Sequence, residues 1–339
     1  LGEAGWDLFI ASPSHGEVYE NFLGLRNAKL LLLEMGGNEV VKSSPLKSLI
    51  RFVKAIYSLA KEVRKENIDL IYSIDRGVSM PIAFITSIVT GCPLILSAHT
   101  SHYLETSILH RKVCNHAISI SVLSEDMKNQ FRPFVNNPDK LLILKNAIDL
   151  SKYEKKYDGQ RIRQELRLLP ETKVVLLAGR LNPWKGQIEL IQAASLVIKE
   201  KPDTHFIIAG GEDLAGFQTQ LKELIDQLKL GEHVSLVGFR NDLPDILSCA
   251  DVVTMPSHEE PFGLVALEAM ALKKPVVATK AGGVPEFISH GETGMLIPPK
   301  NHIALAEALL ALLNDPDKAR AMGQSAKEFV FENYGEVMY

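Results

Sequence analysis

Three carboxylates stand close together in HEEPFGLVALEAMALKKP, residues 258–275. Glu259 and Glu260 come just before a helical pattern, and Glu268 falls inside it, with seven residues between Glu260 and Glu268. Glu260 at the start of a helix can accept hydrogen bonds from hydroxyls, or it can simply favour the positive end of the helix dipole, worth ~0.3–1 kcal/mol. Glu268 reads as either a hydroxyl acceptor or a residue on a solvated face. Its neighbours Val265, Ala266, Leu267, Ala269, Met270 and Ala271 make that helix apolar nearly all round, and a carboxylate inside a buried helix needs partners. Gly263 lets backbone approach a ligand, and the N–H groups of Gly263 and Leu264 are donors that the helix leaves unpaired. Another loop, GRLNPWKGQ at 179–187, runs from a strand into a helix and carries Arg180, Lys185 and Gly186. Two cations at a helix N-terminus suit a pyrophosphate whose negative charge grows as a bond breaks. The alternative for that loop is a surface turn with incidental cations.

Positioning these groups requires strands that end beside them. Short β-branched runs alternate with helical patterns along the chain, the sign of parallel sheets covered by helices on both faces. The first series is DLFIAS, KLLLLEM, IDLIYSI, PLILSA, AISISV and LLILKNA, with helices expected over 45–66, 78–90 and 103–115. The second is KVVLLAGR, HFIIAGG, VSLVGF, DVVTMPS, PVVATK and GMLIPP. Between them lies a polar, lysine-rich and tyrosine-containing stretch without the period of a buried element. The expected organisation is therefore a doubly wound α/β domain over 1–150, a linker over 151–165 and a second doubly wound domain over 166–339, the two facing across a cleft. In such sheets ligands bind beyond the carboxyl ends of the strands. That rule selects the loops HTSHY, GRLNPWKG, GG at 210, GFRND, SHEEPFG and KAGGVPE.

The 339 residues, 46% hydrophobic and 23% charged, suffice for two cores. A net charge of −4 offers no broad field for nucleic acid, and no Cys/His spacing suggests a zinc finger. Three cysteines, Cys92, Cys114 and Cys249, lie far apart in apolar surroundings, which argues against a disulfide framework and favours a cytoplasmic setting. The apolar run MPIAFITSIVTGCPLILSA is broken by Pro81, Gly91 and Pro93, so it reads as helix, turn and strand rather than a membrane span. No signal peptide is visible. DPD at 315–317 reads as a helix-start turn, not a metal site. The helix over 45–66 carries six basic residues and one acid between Lys47 and Lys65. Such a face is either a plain solvated one or a peripheral contact with anionic lipid.

Taken in order, GRLNPWKG, LVGFRNDLPDILSCADVVTMPS, EEPFGLVALEAMA and PVVATKAGGVPEFISHGETGMLIPP resemble the donor-binding domain of the family 4 retaining glycosyltransferases. The match runs over roughly 170–300, with weaker likeness forward to about residue 7. The resemblance implies a GT-B fold of two Rossmann-like domains. It also implies transfer of a sugar, with retention, from a nucleotide-diphosphate donor to a hydroxyl acceptor, without a metal or other cofactor. The acceptor it suggests is a lipid-linked or growing polysaccharide or lipopolysaccharide glycan. By the same resemblance, Arg180 and Lys185 hold the diphosphate. Glu260 contacts the donor sugar and Glu268 the ribose, while Phe262, Gly263 and Leu264 form the turn whose backbone meets sugar and phosphate. Gly238, Phe239 and Arg240 match the loop beside the nucleobase. In PLILSAHTSHY, His99 is the candidate to touch the donor sugar near its reacting carbon, with a capping or core role as its alternative and His102 as a lesser competitor. Ser124 and Asn146 read as caps or turns. The opening LGEAGWDLFIASPS is similar to the end of the family's first helix and its second strand. A first strand and glycine loop are therefore expected to be missing, as is a helix after KEFVFENYGEVMY. The rival readings are a non-catalytic sugar-nucleotide binding protein, and an epimerase or phosphorylase on a related scaffold.

Overall fold

The computed structural model describes residues 7–12, 28–32, 45–74, 79–99 and 108–335. The chain divides into two compact units, Leu1–Val122 with Met127–Leu144, and Leu123–Asp126 with Lys145–Tyr339. His102 and the start of the expected 103–115 helix lie outside the described residues.

In the first unit β1 (Leu8–Ser12) pairs in parallel with β2 (Ala28–Leu32), in register from Leu8 with Ala28 to Ser12 with Leu32. Helix α1 (Pro45–Lys65), β3 (Ile71–Ile74), α2 (Ser79–Thr90), β4 (Leu94–Ser97), α3 (Ile108–His116), β5 (Ser119–Val122), α4 (Glu125–Phe131, of which Glu125 and Asp126 belong to the second unit) and β6 (Leu141–Ile143) follow. Strands β3 to β6 form a parallel sheet in sequence order, separate from the β1–β2 pair. Helix α1 turns one stripe inward. Its buried Ala55 packs with Ile82 of α2, joined by Phe52, Ile56 and Leu59, and the period near 3.6 keeps these residues on one face. The interrupted apolar run is α2, a turn at Gly91 with φ of 76°, and β4. All three cysteines are buried and free. No described helix is long and apolar enough to cross a membrane.

The second unit contains α5 (Gly159–Glu165), β7 (Lys173–Ala178), α6 (Gln187–Glu200), β8 (Thr204–Ala209), α7 (Phe217–Gln227), β9 (Val234–Gly238), α8 (Leu243–Cys249) and β10 (Val252–Met255). It continues with α9 (Leu264–Ala271), β11 (Val276–Thr279), β12 (Met295–Ile297), α10 (His302–Leu313) and α11 (Pro316–Asn333). The six strands are the six expected, in the order β12-β11-β10-β7-β8-β9, all parallel. Central strands such as β8 and β10 are buried at every residue, which is why they read as unbroken apolar runs. Strand β7 is flanked by β8 on one side and β10 on the other. Chain order therefore reverses between β7 and β10, and the crevice beyond their carboxyl ends is the switch point where doubly wound sheets take ligands.

The stretch expected to be a linker is ordered and packed. Tyr153 is buried in a 3-10 turn (Leu150–Tyr153), and Ile162 of α5 is fully buried. A Cβ on Gly159 would lie 2.7 Å from the Cys249 backbone nitrogen, so α5 runs hard against the end of α8. Arg163 ties it down through the Cys249 carbonyl and Asp251. Too few apolar residues occur here to show a period, and tertiary contacts supply the order instead. Besides Leu123–Asp126 the second unit takes in the chain from Lys145 onward, where Lys145 pairs with Glu286 and the Ile148 N–H donates to the Tyr334 carbonyl.

Candidate functional site

At the switch point two loops are welded together by backbone. After β7 the chain reaches a single 3-10 turn (Pro183–Lys185), which Asn182 opens by accepting from the Trp184 N–H at 3.4 Å. Gly186 follows with φ of 78°, and a Cβ there would meet the Pro256 carbonyl oxygen at 2.2 Å. The His258 N–H donates to the Trp184 carbonyl at 2.7 Å, and the His258 ring meets Glu189 at 2.8 Å. On the other side of the second loop, the Gly283 N–H donates to the Glu260 carbonyl at 3.0 Å. A Cβ on Gly282 would lie 2.1 Å from that same oxygen. Bare glycine at both places is what lets the loops close on one another.

This backbone brings Lys185 and Glu260 into contact. Lys185 Nζ lies 2.6 Å from Glu260 Oε2, with side chains 18% and 9% exposed. Ser257 Oγ donates to the same oxygen at 3.1 Å, while Oε1 carries no bond among the described residues. Lys185 Nζ also sits 4.2 Å from the centre of the Trp184 ring. Arg180 is more open: its Nη1 reaches both oxygens of Asp213 at 3.1 Å, and Asn182 Nδ2 donates to Asp213 Oδ2 at 3.0 Å. Asp213 and Ser257 are not among the residues the sequence singles out. Asp213 follows the GG at 210, a loop the strand-end rule selects, but an aspartate there has no pattern of its own.

Glu268 has the partner its apolar helix requires. Tyr153 Oη donates to Glu268 Oε1 at 2.8 Å. Burial raises the Glu268 pKa above the ordinary carboxylate value, and the Tyr153 hydrogen bond and the Lys152 charge partly oppose that rise. Gly263, with φ of 99°, starts α9, and Leu264 is its first residue. The Phe262 ring is turned away from the loop surface into a cluster with Phe287 and Tyr334, at centroid separations of 6.1 and 6.0 Å, so backbone is what this turn presents.

The GFRND loop is divided in role. The Arg240 guanidinium is held by Asp242 at 2.7 Å and by both oxygens of Glu165 at 2.6 and 3.0 Å. That partnership holds the Asp242 carboxyl well below its ordinary range. Phe239, by contrast, is 71% exposed, and Gly238 turns the chain with φ of 70°. In the first unit His99 follows β4, and its Nε2 lies 3.2 Å from Ser97 Oγ. Asp315 caps α11, accepting from the Lys318 N–H. Within the second unit, Glu286 accepts from the N–H groups of Glu125 and Asp126.

A family model described as glycosyl transferases group 1 matches residues 158–329, just over half of the chain. The chain belongs to that family. This glycosyltransferase is 29% identical over 339 residues to a D-inositol 3-phosphate glycosyltransferase of Corynebacterium glutamicum (strain R), covering 93% of this chain and 80% of the relative. It is 28% identical over 269 residues to an alpha-D-kanosaminyltransferase of Streptomyces kanamyceticus, covering 74% and 69%. Its fold is similar to that of Anabaena HepE solved in complex with UDP-glucose, with a TM-score of 0.82, 25% identity and coverage of 98% and 95%. The fold is therefore GT-B, as expected from the sequence. Arg180, Lys185, Glu260 and Glu268 all fall inside the segment matched by the family model, whereas His99 and Tyr153 lie before it.

Proposed function

We propose that this glycosyltransferase binds a nucleoside-diphosphate sugar on its second unit and transfers the sugar, with retention, to a hydroxyl acceptor, without a metal. The observation that carries this reading is the Lys185–Glu260 contact at 2.6 Å beside the N-terminus of α9. A fixed cation, free helix N–H groups and a carboxylate meet at one strand-end crevice, which suits a diphosphate joined to a polyhydroxylated ring. Arg180 and Lys185 neutralise the departing diphosphate as the bond from the anomeric carbon breaks, and the acceptor oxygen takes its place on the same face. Glu260 holds sugar hydroxyls through Oε1, since Oε2 is already occupied by Lys185 and Ser257. Glu268 accepts from the ribose, backbone at Gly263 and Leu264 meets the phosphates, and the loop of Gly238, Phe239 and Arg240 borders the base. His99 is proposed as a second residue orienting the sugar. Catalysis is then positioning and preorganised charge.

UDP sugars are the first donors to try, because HepE was solved with UDP-glucose. The test is incubation with labelled UDP, GDP and ADP sugars and an acceptor extract, with NMR assignment of the anomeric configuration. A labelled product of retained configuration is expected. Donor binding with neither transfer nor hydrolysis would favour the non-catalytic reading, and an altered free sugar nucleotide would favour an epimerase.

For the acceptor, the specific observation lies on α1. Leu46, Leu49, Ile50, Val53 and Tyr57 recur on one side of the helix and are each at least 47% exposed, beside Lys47, Arg51 and Lys54. An apolar stripe edged by cations fits an anionic lipid surface, and so a lipid-linked or growing glycan acceptor. Cosedimentation with vesicles containing anionic lipid, lost in Leu49→Glu/Val53→Glu, is the expected result. Binding unaltered by those changes would remove the lipid reading.

A further inference from the structure

The geometry points to Tyr153 as a positioning residue: we propose that its hydroxyl holds Oε1 of Glu268 so that the other oxygen, Oε2, is aimed at the ribose, which makes Tyr153 a determinant of ribose over deoxyribose in the donor. This inference rests on the reading of Glu268 as the ribose acceptor.

Four observations carry it. Tyr153 and Glu268 are 115 positions apart in sequence, yet the phenol oxygen lies 2.8 Å from Oε1. An ionised carboxylate only accepts, so the phenol is the donor and its proton is committed to that oxygen. Tyr153 is 7% exposed, and its turn is fixed by Asp149, whose Oδ1 accepts from the Ser151 N–H at 3.1 Å. The donor is therefore held by its own local structure. Last, the rest of α9 supplies nothing polar beside Glu268: Ala266, Leu267, Ala269 and Met270 are all fully buried and apolar.

A glutamate has three rotatable bonds, and binding must fix all of them. With Oε1 tied in advance, that ordering is done before the nucleotide arrives, and the free oxygen is already oriented. The same bond favours the ionised carboxylate, the form that accepts from hydroxyls, against the burial that disfavours it. Removing the phenol oxygen should then cost affinity only where ribose hydroxyls are present to be received.

The experiment uses the full chain and calorimetry with whichever of UDP, GDP and ADP binds most tightly, together with its 2′,3′-dideoxy counterpart. The wild type should prefer the ribonucleotide, and Glu268→Gln should lose most of that preference. Tyr153→Phe, which keeps the buried ring, should reduce the ribo-to-dideoxy affinity ratio about 3- to 10-fold and leave dideoxynucleotide affinity unchanged. It should also move the pH at which ribonucleotide affinity is lost to a higher value. Tyr153→Met makes the same comparison if the Phe variant fails to fold. An unchanged ratio in the Tyr153 variants while Glu268→Gln loses it would overturn the proposal and leave the ribose reading intact. Equal weakening of both nucleotides would reduce Tyr153 to packing and also overturn it. An unchanged ratio in Glu268→Gln, or no binding of any of the three nucleotides, would remove the ribose reading and the proposal with it.

Discussion

Lys185 Nζ lies 2.6 Å from Glu260 Oε2, and the two side chains are 18% and 9% exposed. The cation proposed for the diphosphate and the carboxylate proposed for the sugar are thus one mostly desolvated unit before any ligand binds. Removing one member leaves a buried charge without its counterion, and this is costlier than removing both. Lys185→Ala should therefore lose about 3 kcal/mol of stability and about 100-fold or more in turnover. Adding Glu260→Gln should restore part of the stability and none of the turnover. Urea melts and steady-state rates on the two variants check both halves.

Arg180 behaves differently because its side chain is 60% exposed and its partner Asp213 is 31% exposed. An ion pair so open contributes under about 1 kcal/mol. Arg180→Ala should lower turnover about 100-fold while its melting midpoint stays within the scatter of the wild type. Normal turnover in this variant would sink the diphosphate assignment.

Glu268 sets a pH dependence whose sign follows from burial. Its pKa is raised in the folded chain, so between the ordinary carboxylate value and that raised value the folded state holds more proton than the unfolded state. Stability from this group is present below the ordinary value and falls as pH rises through that window. Glu268→Gln, which cannot ionise, should gain in melting temperature relative to the wild type as pH rises through the same range. Its nucleotide affinity should be reduced at every pH above the window. Thermal melts at stepped pH and calorimetry at neutral pH decide these two points.

Gly186 tests the weld between the loops. Its φ is 78°, and a Cβ at this position would lie 2.2 Å from the Pro256 carbonyl oxygen, so Gly186→Ala meets both backbone strain and a clash with main chain. A loss of about 2 kcal/mol or more is expected, with turnover reduced because Lys185 is the preceding residue. A melting curve like that of the wild type would contradict the close approach.

The central strands of the second unit are legible because they are buried on both faces, so VVLL, FII and VVTM leave an unbroken apolar signal. Glu268 is legible because a carboxylate interrupts an apolar helix. Arg180 and Lys185 are legible because two cations flank a strand-to-helix turn. Asp213 is not, since one aspartate in a polar loop looks like any other. The order of residues 149–165 is hidden for a related reason: Tyr153 and Ile162 are isolated apolar residues among charges, and isolated residues have no period.

The sequence by itself determined the alternation of strand and helix, the strand-end loops and the residues able to carry charge there, because these depend on local pattern and backbone freedom. Only the tertiary structure decided pairing. Lys185 meets Glu260 across 75 positions and Tyr153 meets Glu268 across 115, because β7 and β10 became neighbours in the sheet and the turn at Leu150–Tyr153 came to rest on α9. A charge or hydroxyl shows its type in the chain. Its partner is fixed by packing, where burial makes every unpaired polar group costly and so selects which groups meet.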